Sequence, residues 1–281
     1  MKPAPFTYVR PNDLQEAIAH LRASNGMAKV LAGGQSLVPL LNLRLAQPEL
    51  IVDISRIAEL SIIEEDENSL LIGACVSHAA FEDGIVPDVA GGLLQRVGAA
   101  IGYRAIRNLG TIGGSMAHAD PAAEWPVLLV ALDAVIGYRN PDGRQEVSAS
   151  EFILGPFTTV LQDNEILADI RIARLSLSAK SGFYKTCRKS GEFADSLAVI
   201  VIDPERPLPR VVLGATNDRP LLLATTGNVV ASLDAWSPAA EHAVREAVTA
   251  DLETAFPSLD PYGGQIHRVT VVRAVREALS S

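Results

Sequence analysis

The most informative stretch of this chain is Ala32-Gly33-Gly34-Gln35-Ser36-Leu37, whose pattern returns in Thr111-Ile112-Gly113-Gly114-Ser115. Each stretch carries a serine shortly after a pair of glycines. Glycine tolerates positive φ and lets the backbone approach a ligand closely. Successive main-chain N–H groups in such a turn form an anion-binding nest, and a serine hydroxyl adds a donor. Two loops of this kind, separated by a domain-sized stretch, fit a diphosphate held from both sides.

Neither loop matches a common nucleotide-binding fingerprint. The chain has no Gly-x-Gly-x-x-Gly after a predicted strand and no Gly-x-x-x-x-Gly-Lys-Ser/Thr. A Rossmann fold and a P-loop are therefore both disfavoured. Arg44 and Arg107 lie near the two loops in sequence, so they are candidates for neutralising phosphate charge.

Composition limits the classes of protein to which the chain can belong. Its 281 residues are 48% hydrophobic and 20% charged, which is typical of a globular protein with a large core. The formal charge of −9 argues against nucleic-acid binding, because phosphate neutralisation needs a basic face. The N-terminus lacks the apolar segment of a secretory signal, and the apolar runs are too short to span a bilayer. We therefore expect no membrane insertion and a cytoplasmic location.

The cysteine content restricts the redox chemistry. Cys75 and Cys187 are the two cysteines of the sequence. An iron–sulfur cluster of the usual kind needs four thiolates, and a cysteine-rich zinc site needs a similar number. If the chain carries electrons, an organic cofactor must hold them here and any iron must lie in another chain.

Apolar patterns predict a two-lobed N-terminal domain followed by a smaller C-terminal one. The lobes cover about 1–57 and 58–176, and the C-terminal domain covers 177–281, with the break in the polar run from Ser176 to Ser181. Helical spacing of Ile266, Val269, Val272 and Val275 predicts the packed face of the last helix. The predicted strands cover 6–9, 29–32, 50–54, 62–64, 69–73, 135–138, 165–167, 170–172, 196–203 and 210–216. The predicted helices cover 14–25, 89–97, 239–255 and 266–279.

Three segments resemble the FAD-binding flavoprotein (medium) subunit of molybdenum hydroxylases, and within that group the aerobic carbon monoxide dehydrogenase branch. They are residues 32–44, residues 106–124 and residues 184–194, in the order expected for the family, and the resemblance covers essentially the whole chain. Two departures occur: Glu192 stands where the family usually has Asp, and Ser115 stands where it often has Asn.

The resemblance implies an α+β fold. An FAD-binding domain of the two-lobed vanillyl-alcohol-oxidase (PCMH) type would occupy 1–176, with the carbon monoxide dehydrogenase flavoprotein C-terminal-like domain at 177–281. It also implies an oxidoreductase subunit that passes electrons from the [2Fe–2S] clusters of a small subunit, through FAD, to an external acceptor. A large molybdopterin subunit would oxidise the substrate, and a dimer of heterotrimers is the expected assembly.

The cofactor-binding residues follow from the loops and the resemblance together. From the loops alone we expect N–H donation by Gly33, Gly34 and Gln35, with the Ser36 hydroxyl as a further donor. The resemblance places Leu167 and Lys185 beside the flavin ring. It places Ile101 next to the cofactor, with a core position as the alternative, and it leaves open whether Asp120 or Glu124 is the acid that contacts the cofactor. The full predicted set is Lys29, Val30, Leu31, Ala32, Gly33, Gly34, Gln35, Ser36, Leu37, Ile101, Thr111, Ile112, Gly113, Gly114, Ser115, Asp120, Glu124, Leu167 and Lys185.

The sequence leaves several alternatives open. No metal site is expected at His118, Asp120 and Glu124, and no residue is expected to act as a general acid or base on an organic substrate. A free-standing FAD reductase of the same cofactor fold and a flavin-free assembly module are the competing functions. The substrate of the holoenzyme (carbon monoxide, a purine, an N-heterocycle or an aldehyde) and the acceptor (quinone, oxygen, NAD or a carrier protein) are not specified.

Overall fold

The computed structural model describes residues 2–280, whose strands form three larger sheets and one short hairpin. The strands are β1 (Thr7–Val9), β2 (Ala28–Leu31), β3 (Leu50–Asp53), β4 (Ile63–Glu65), β5 (Ser69–Gly73), β6 (Val135–Asn140), β7 (Gly143–Ser148), β8 (Ile153–Gly155), β9 (Thr158–Thr159), β10 (Ile166–Ala173), β11 (Lys180–Thr186), β12 (Ser196–Ile202), β13 (Arg210–Gly214) and β14 (Leu221–Leu222). The helices are α1 (Leu14–Ala23), α2 (Leu37–Asn42), α3 (His78–Glu82), α4 (Leu93–Ala100), α5 (Arg104–Arg107), α6 (Ile112–His118), α7 (Glu124–Ala131), α8 (Ala149–Phe152), α9 (Ala224–Ala231), α10 (Pro238–Ala255) and α11 (Pro261–Ser280), with a 3₁₀ turn at Ala58–Ser61.

The first sheet is parallel, in the order β1-β3-β2. Helix α1 connects β1 to β2 and begins after Asp13, which with Glu16 three residues later has the sequence pattern of a capping box. The Asp13 side chain accepts a hydrogen bond from the main-chain N–H of Glu16 at 2.8 Å. The returning Glu16 carboxylate accepts from the N–H of Asn12 at 2.7 Å, one residue earlier than in a standard capping box. Strand β2 then leads directly into the first glycine loop.

The second sheet is antiparallel, in the order β4-β5-β10-β6-β7. Its central strand, β10, runs from Ile166 to Ala173 without interruption, although the sequence predicted two short strands there. The pairing register with β6 shifts between Leu167 and Asp169, which marks a bulge. The bulge explains the error, because an extra residue disturbs the alternation of apolar side chains by which a strand is recognised.

The third sheet has the order β11-β12-β13-β14 and carries α10 and α11 on one face. Its other face packs on α7, all eight residues of which are buried. Within residues 2–280, no helix is long and apolar enough to cross a membrane. The sequence missed β11, whose N-terminal part falls in the predicted break at 176–181. The domain boundary itself stays a prediction; β10 ends at Ala173, and β11 begins at Lys180 in a different sheet.

The packed face of α11 differs from the one predicted. Val272 and Val275 are buried, but Ile266 and Val269 are only half-buried. The buried face contains smaller and more polar side chains, at His267, Val271, Ala274 and Ala278. The reason is the close approach of α11 to β11: a Cβ on Gly182 would lie 2.0 Å from the carbonyl oxygen of Ala274. Small residues permit this contact, and a prediction based on large apolar residues alone overlooks them.

Candidate functional site

A cleft with a volume of about 760 Å³ lies where segments next to all three sheets meet. This volume is within the usual range for ligand sites. The cleft is bordered by every predicted cofactor-binding residue except Leu31, Ile112 and Lys185. Ile112 is fully buried in the core below the second loop. Leu31 alternates with Val30 and Ala32 along the chain, and those two residues face the cleft instead.

The first glycine loop presents unpaired main-chain donors. In the part of the chain that the structure describes, no acceptor pairs with the N–H groups of Gly33, Gly34, Gln35 and Ser36. Gly34 has a φ of +71°, and the Ser36 side chain makes no capping hydrogen bond. Polar groups next to a cleft need partners from a ligand or from water. The arrangement therefore fits the phosphate groups of FAD and agrees with the N–H donation expected from the sequence.

The second glycine loop uses most of its donors internally. The N–H groups of Ile112 and Gly113 donate to the carbonyl oxygens of Val76 and Ala74, and that of Gly114 donates to the Thr111 hydroxyl at 3.0 Å. The N–H of Ser115 donates to the carbonyl oxygen of Thr111 at 3.0 Å. The second loop therefore differs from the first loop, although the sequence predicted the same binding mode for both. What it offers to a ligand is the Ser115 hydroxyl and the N–H of Thr111.

The glycines also bring the two loop regions into contact. A Cβ on Gly33 would lie 1.9 Å from the carbonyl oxygen of Leu109, and a Cβ on Gly113 would lie 2.4 Å from Cβ of Ala74. Real Cβ atoms do not approach other atoms so closely, so both positions require glycine. The glycine pairs are therefore needed for packing within the protein as well as for the approach of a ligand.

A buried ion pair lies at one wall of the cleft. Lys185 Nζ donates to Glu124 Oε1 at 2.6 Å and to the carbonyl oxygen of Ala100 at 3.2 Å. The Lys185 and Glu124 side chains are only 8% and 7% exposed. Burial raises the pKa of the Glu124 carboxyl above its usual value, and the positive charge of Lys185 opposes that shift. Lys185 is thus neither a surface lysine nor a lining residue of the cleft: it lies behind Glu124, which does line it.

Asp120 also lines the cleft, but its environment differs from that of Glu124. One of its carboxylate oxygens accepts from the N–H of Ala122 at 2.9 Å, which closes a turn just before α7. Both candidate acids therefore border the cleft, and Glu124 is the one with a buried cationic partner.

Two arginines that were candidates for neutralising phosphate are used elsewhere. Arg107 donates to both carboxylate oxygens of Glu82 at 2.6 and 2.8 Å, and its side chain is 11% exposed. Arg44 has a φ of +58° and donates to the carbonyl oxygen of Lys2 at 3.2 Å. Neither side chain borders the cleft. Sequence proximity to a loop did not predict these contacts, because Glu82 lies 25 residues from Arg107.

Several residues that line the cleft were not predicted from the sequence. The cleft is bordered by the segment 157–163 except Val160, by residues 191–193 and by His78. Phe157 has a φ of +54°, its N–H donates to the carbonyl oxygen of Ala119 at 2.8 Å, and its ring contacts that of His118. No motif marks the first segment, so only the tertiary structure identifies it. His78 directly follows Ser77, the capping residue of α3, and that position gave no sign of a ligand.

Comparisons with known proteins identify the family of the chain. The family described as "FAD binding domain in molybdopterin dehydrogenase" matches residues 4–174. The chain is 30% identical to the 6-hydroxypseudooxynicotine dehydrogenase complex subunit alpha of Paenarthrobacter nicotinovorans, over 99% of this chain and 94% of that protein. It is 34% identical to the carbon monoxide dehydrogenase medium chain of Hydrogenophaga pseudoflava, over 81% and 79%. A solved structure of carbon monoxide dehydrogenase from that organism superposes with a TM-score of 0.92 and 30% identity, covering 100% of this chain and 99% of the other.

Proposed function

Because this chain belongs to the family of FAD-binding domains in molybdopterin dehydrogenases, we propose that it is the electron-transfer subunit of a heterotrimeric molybdenum hydroxylase. The family, the oxidoreductase class, FAD as the cofactor and the mixed fold with a PCMH-type domain are confirmed as the sequence predicted them. The transfer of electrons from iron–sulfur clusters to an external acceptor is our proposal.

The observation that carries the proposal is the cleft with unpaired donors on the first glycine loop. These N–H groups would hold the diphosphate of FAD, and the Ser115 hydroxyl would bind from the opposite side. When bound, FAD supplies redox chemistry in which electrons enter and leave singly or in pairs. The chain itself would bind and orient the cofactor and exclude water from part of it, with Glu124 and Lys185 setting the charge of one wall.

The partners follow from what this chain lacks and from its relatives. Cys75 and Cys187 are too few for an iron–sulfur cluster, so a separate small subunit would carry two [2Fe–2S] clusters. A large molybdopterin subunit would bind the substrate. Relatives described as a medium chain and as a complex subunit support a multi-subunit assembly, and we propose a dimer of heterotrimers.

The test is mild affinity purification of this chain from its own host, followed by visible spectroscopy and a reduction experiment. We expect two co-purifying subunits, and a flavin band together with iron–sulfur absorbance. After the flavin is stripped, chemical reductant should still reduce the clusters. Once the excess reductant has been removed, the reduced clusters should no longer pass electrons to an external acceptor dye. Restoring FAD should restore the transfer.

Other outcomes of this purification would contradict the proposal. A solitary protein with a clean flavin spectrum would support a free-standing reductase. A colourless stoichiometric complex would support an assembly module that lacks flavin. Transfer to the dye at an unchanged rate without FAD would show that electrons bypass this subunit.

A further inference from the structure

The imidazole of His78 lies beneath the point where the two glycine loops meet. The residue is 5% exposed and borders the cleft. Its Nδ1 accepts a hydrogen bond from Trp125 Nε1 at 2.9 Å. Because an indole N–H can only donate, Nδ1 must carry the lone pair, and the proton of the neutral ring lies on Nε2. Burial, together with the nearby charge of Arg107, lowers the pKa of His78 to about 4, so the ring is neutral at pH 7.

The Nε2–H group of His78 makes no hydrogen bond within residues 2–280. In that range, the side-chain polar atom that is both fully enclosed and without a partner is the hydroxyl oxygen of Thr216, so Nε2 of His78 is not fully enclosed. Nε2 of His78 therefore borders open space, and the open space that His78 borders is the cleft. A neutral, oriented donor is thus held at the cleft wall, and none of the described residues accepts a hydrogen bond from it.

Two glycines place this donor between the loops. A Cβ on Gly110 would lie 2.7 Å from His78 Nε2, so any larger residue at that position would obstruct the donor. Gly110 also packs on the first loop, because its Cα would lie 2.8 Å from a Cβ on Gly33. Nε2 is therefore close to the junction of the loops, where the second loop has few free main-chain donors of its own.

We propose that His78 is a cofactor-binding residue that donates a hydrogen bond from Nε2 to a phosphate oxygen of FAD. The first loop supplies its N–H groups from one side, and His78 supplies a donor near the second loop. Trp125 fixes the tautomer that makes this possible. The inference rests on the cofactor binding that the proposed function requires, and it is independent of the electron donor and acceptor.

The experiment measures the affinity of the full chain, stripped of flavin, for FAD and for ADP by titration calorimetry. The His78→Leu variant removes the donor, and we expect it to weaken both ligands by roughly 10- to 100-fold, as a hydrogen bond to a charged group should. His78→Gln retains an amide donor and should bind within about 3-fold of wild type. The matched control is His267→Leu, which removes another buried histidine, bonded to Ser196 at 2.8 Å away from the cleft, and should leave both affinities unchanged.

Two results would overturn the inference. His78→Leu could bind both ligands as wild type does, or it could lose affinity for FAD while keeping its affinity for ADP, which would exclude a bond to the diphosphate. If His78→Leu fails to fold, the double variant His78→Leu with Trp125→Phe is titrated with FAD and ADP in its place. The second substitution removes the indole N–H that would otherwise lose its acceptor. In wild type, the ¹H–¹⁵N signal of His78 Nε2 should shift when ADP binds, and an unchanged signal would likewise contradict the bond.

These outcomes separate the inference from the proposed function. If the wild-type chain binds neither FAD nor ADP, the proposed function fails. If it binds FAD and the His78 variants bind equally well, only the role of His78 fails.

Discussion

Single residues determine how closely the two loops approach each other. Gly33 lies against the carbonyl group of Leu109, and the space that a side chain would occupy is taken by that group. Gly155 provides a contrast, because no heavy atom lies within 4 Å of the position where its Cβ would be. Alanine substitutions at the two positions therefore add the same methyl group, in one case against packed atoms and in the other into open space.

We expect Gly33→Ala to lower the free energy of unfolding by about 1–3 kcal/mol, as overpacking does, and to weaken FAD binding by displacing the first loop. Chemical denaturation and flavin titration measure the two effects. Gly155→Ala is the control and should change neither. Equal behaviour of the two variants would show that the loops can separate without cost.

The Glu124–Lys185 pair gives a prediction with a defined dependence on pH. Lys185→Met should destabilise the chain by about 3–5 kcal/mol at pH 8, because it leaves a buried carboxylate without its cation. The folded-state pKa of Glu124 lies above its ordinary value of 4.5, and losing Lys185 raises it further. Stability linked to a raised carboxyl pKa is present at low pH and is lost as pH rises through the folded pKa. The penalty of Lys185→Met should therefore grow from pH 5 to pH 8.

Urea unfolding at several pH values measures this penalty. The double variant Lys185→Met with Glu124→Gln removes both charges and should recover most of the stability at pH 8. A penalty that is independent of pH, or a double variant no more stable than the single one, would contradict the ion-pair account.

At the scale of elements, helix α7 connects the cleft to the C-terminal sheet. Its first residue, Glu124, lines the cleft and bonds to Lys185 of β11. Near its last residue, Arg210 of β13 donates from Nε and Nη2 to the carbonyl oxygen of Val130 at 3.0 and 2.8 Å. A helix that is buried on every side cannot satisfy its terminal carbonyl groups with water, so these contacts come from side chains of the neighbouring sheet.

We expect Arg210→Met to lower the free energy of unfolding by about 1–3 kcal/mol, because the Val130 carbonyl group loses both guanidinium donors and keeps a main-chain donor, the N–H of Asp133 at 3.2 Å. Thermal and urea unfolding test this. Arg219→Met, at an exposed arginine in the turn after β13, is the matched control and should be neutral. A neutral Arg210→Met would mean that water replaces the guanidinium at this helix end.

At the scale of the whole molecule, the C-terminal sheet belongs to two cores. Along β12, Leu197, Val199 and Val201 pack into the core that contains α7, whereas Ala198 and Ile200 pack against α10 and α11. A sheet that is buried on both faces joins the two cores through its own backbone. The regions on either side of residue 176 are therefore expected to unfold together, even though they form separate sheets.

Calorimetry of the full chain should show one transition whose van't Hoff and calorimetric enthalpies agree. Leu129→Ala in the first core and Leu252→Ala in the second should each cost about 2–5 kcal/mol and lower the same transition. Two separate transitions, with each variant shifting only one of them, would show that the regions unfold independently.

The family, the cofactor and about half of the helices and strands were predictable from the sequence. The glycine loops, the capping residue Asp13 and the continuous apolar run of β12 are local patterns, so they can be recognised without knowledge of the fold. The tertiary structure determines which hydrogen-bond donors remain free and which side chains contact each other. His78 and Trp125 are 47 residues apart, and Glu124 and Lys185 are 61 apart. Hydrogen bonds and ion pairs over such separations depend on how the sheets pack, and no local pattern encodes that packing.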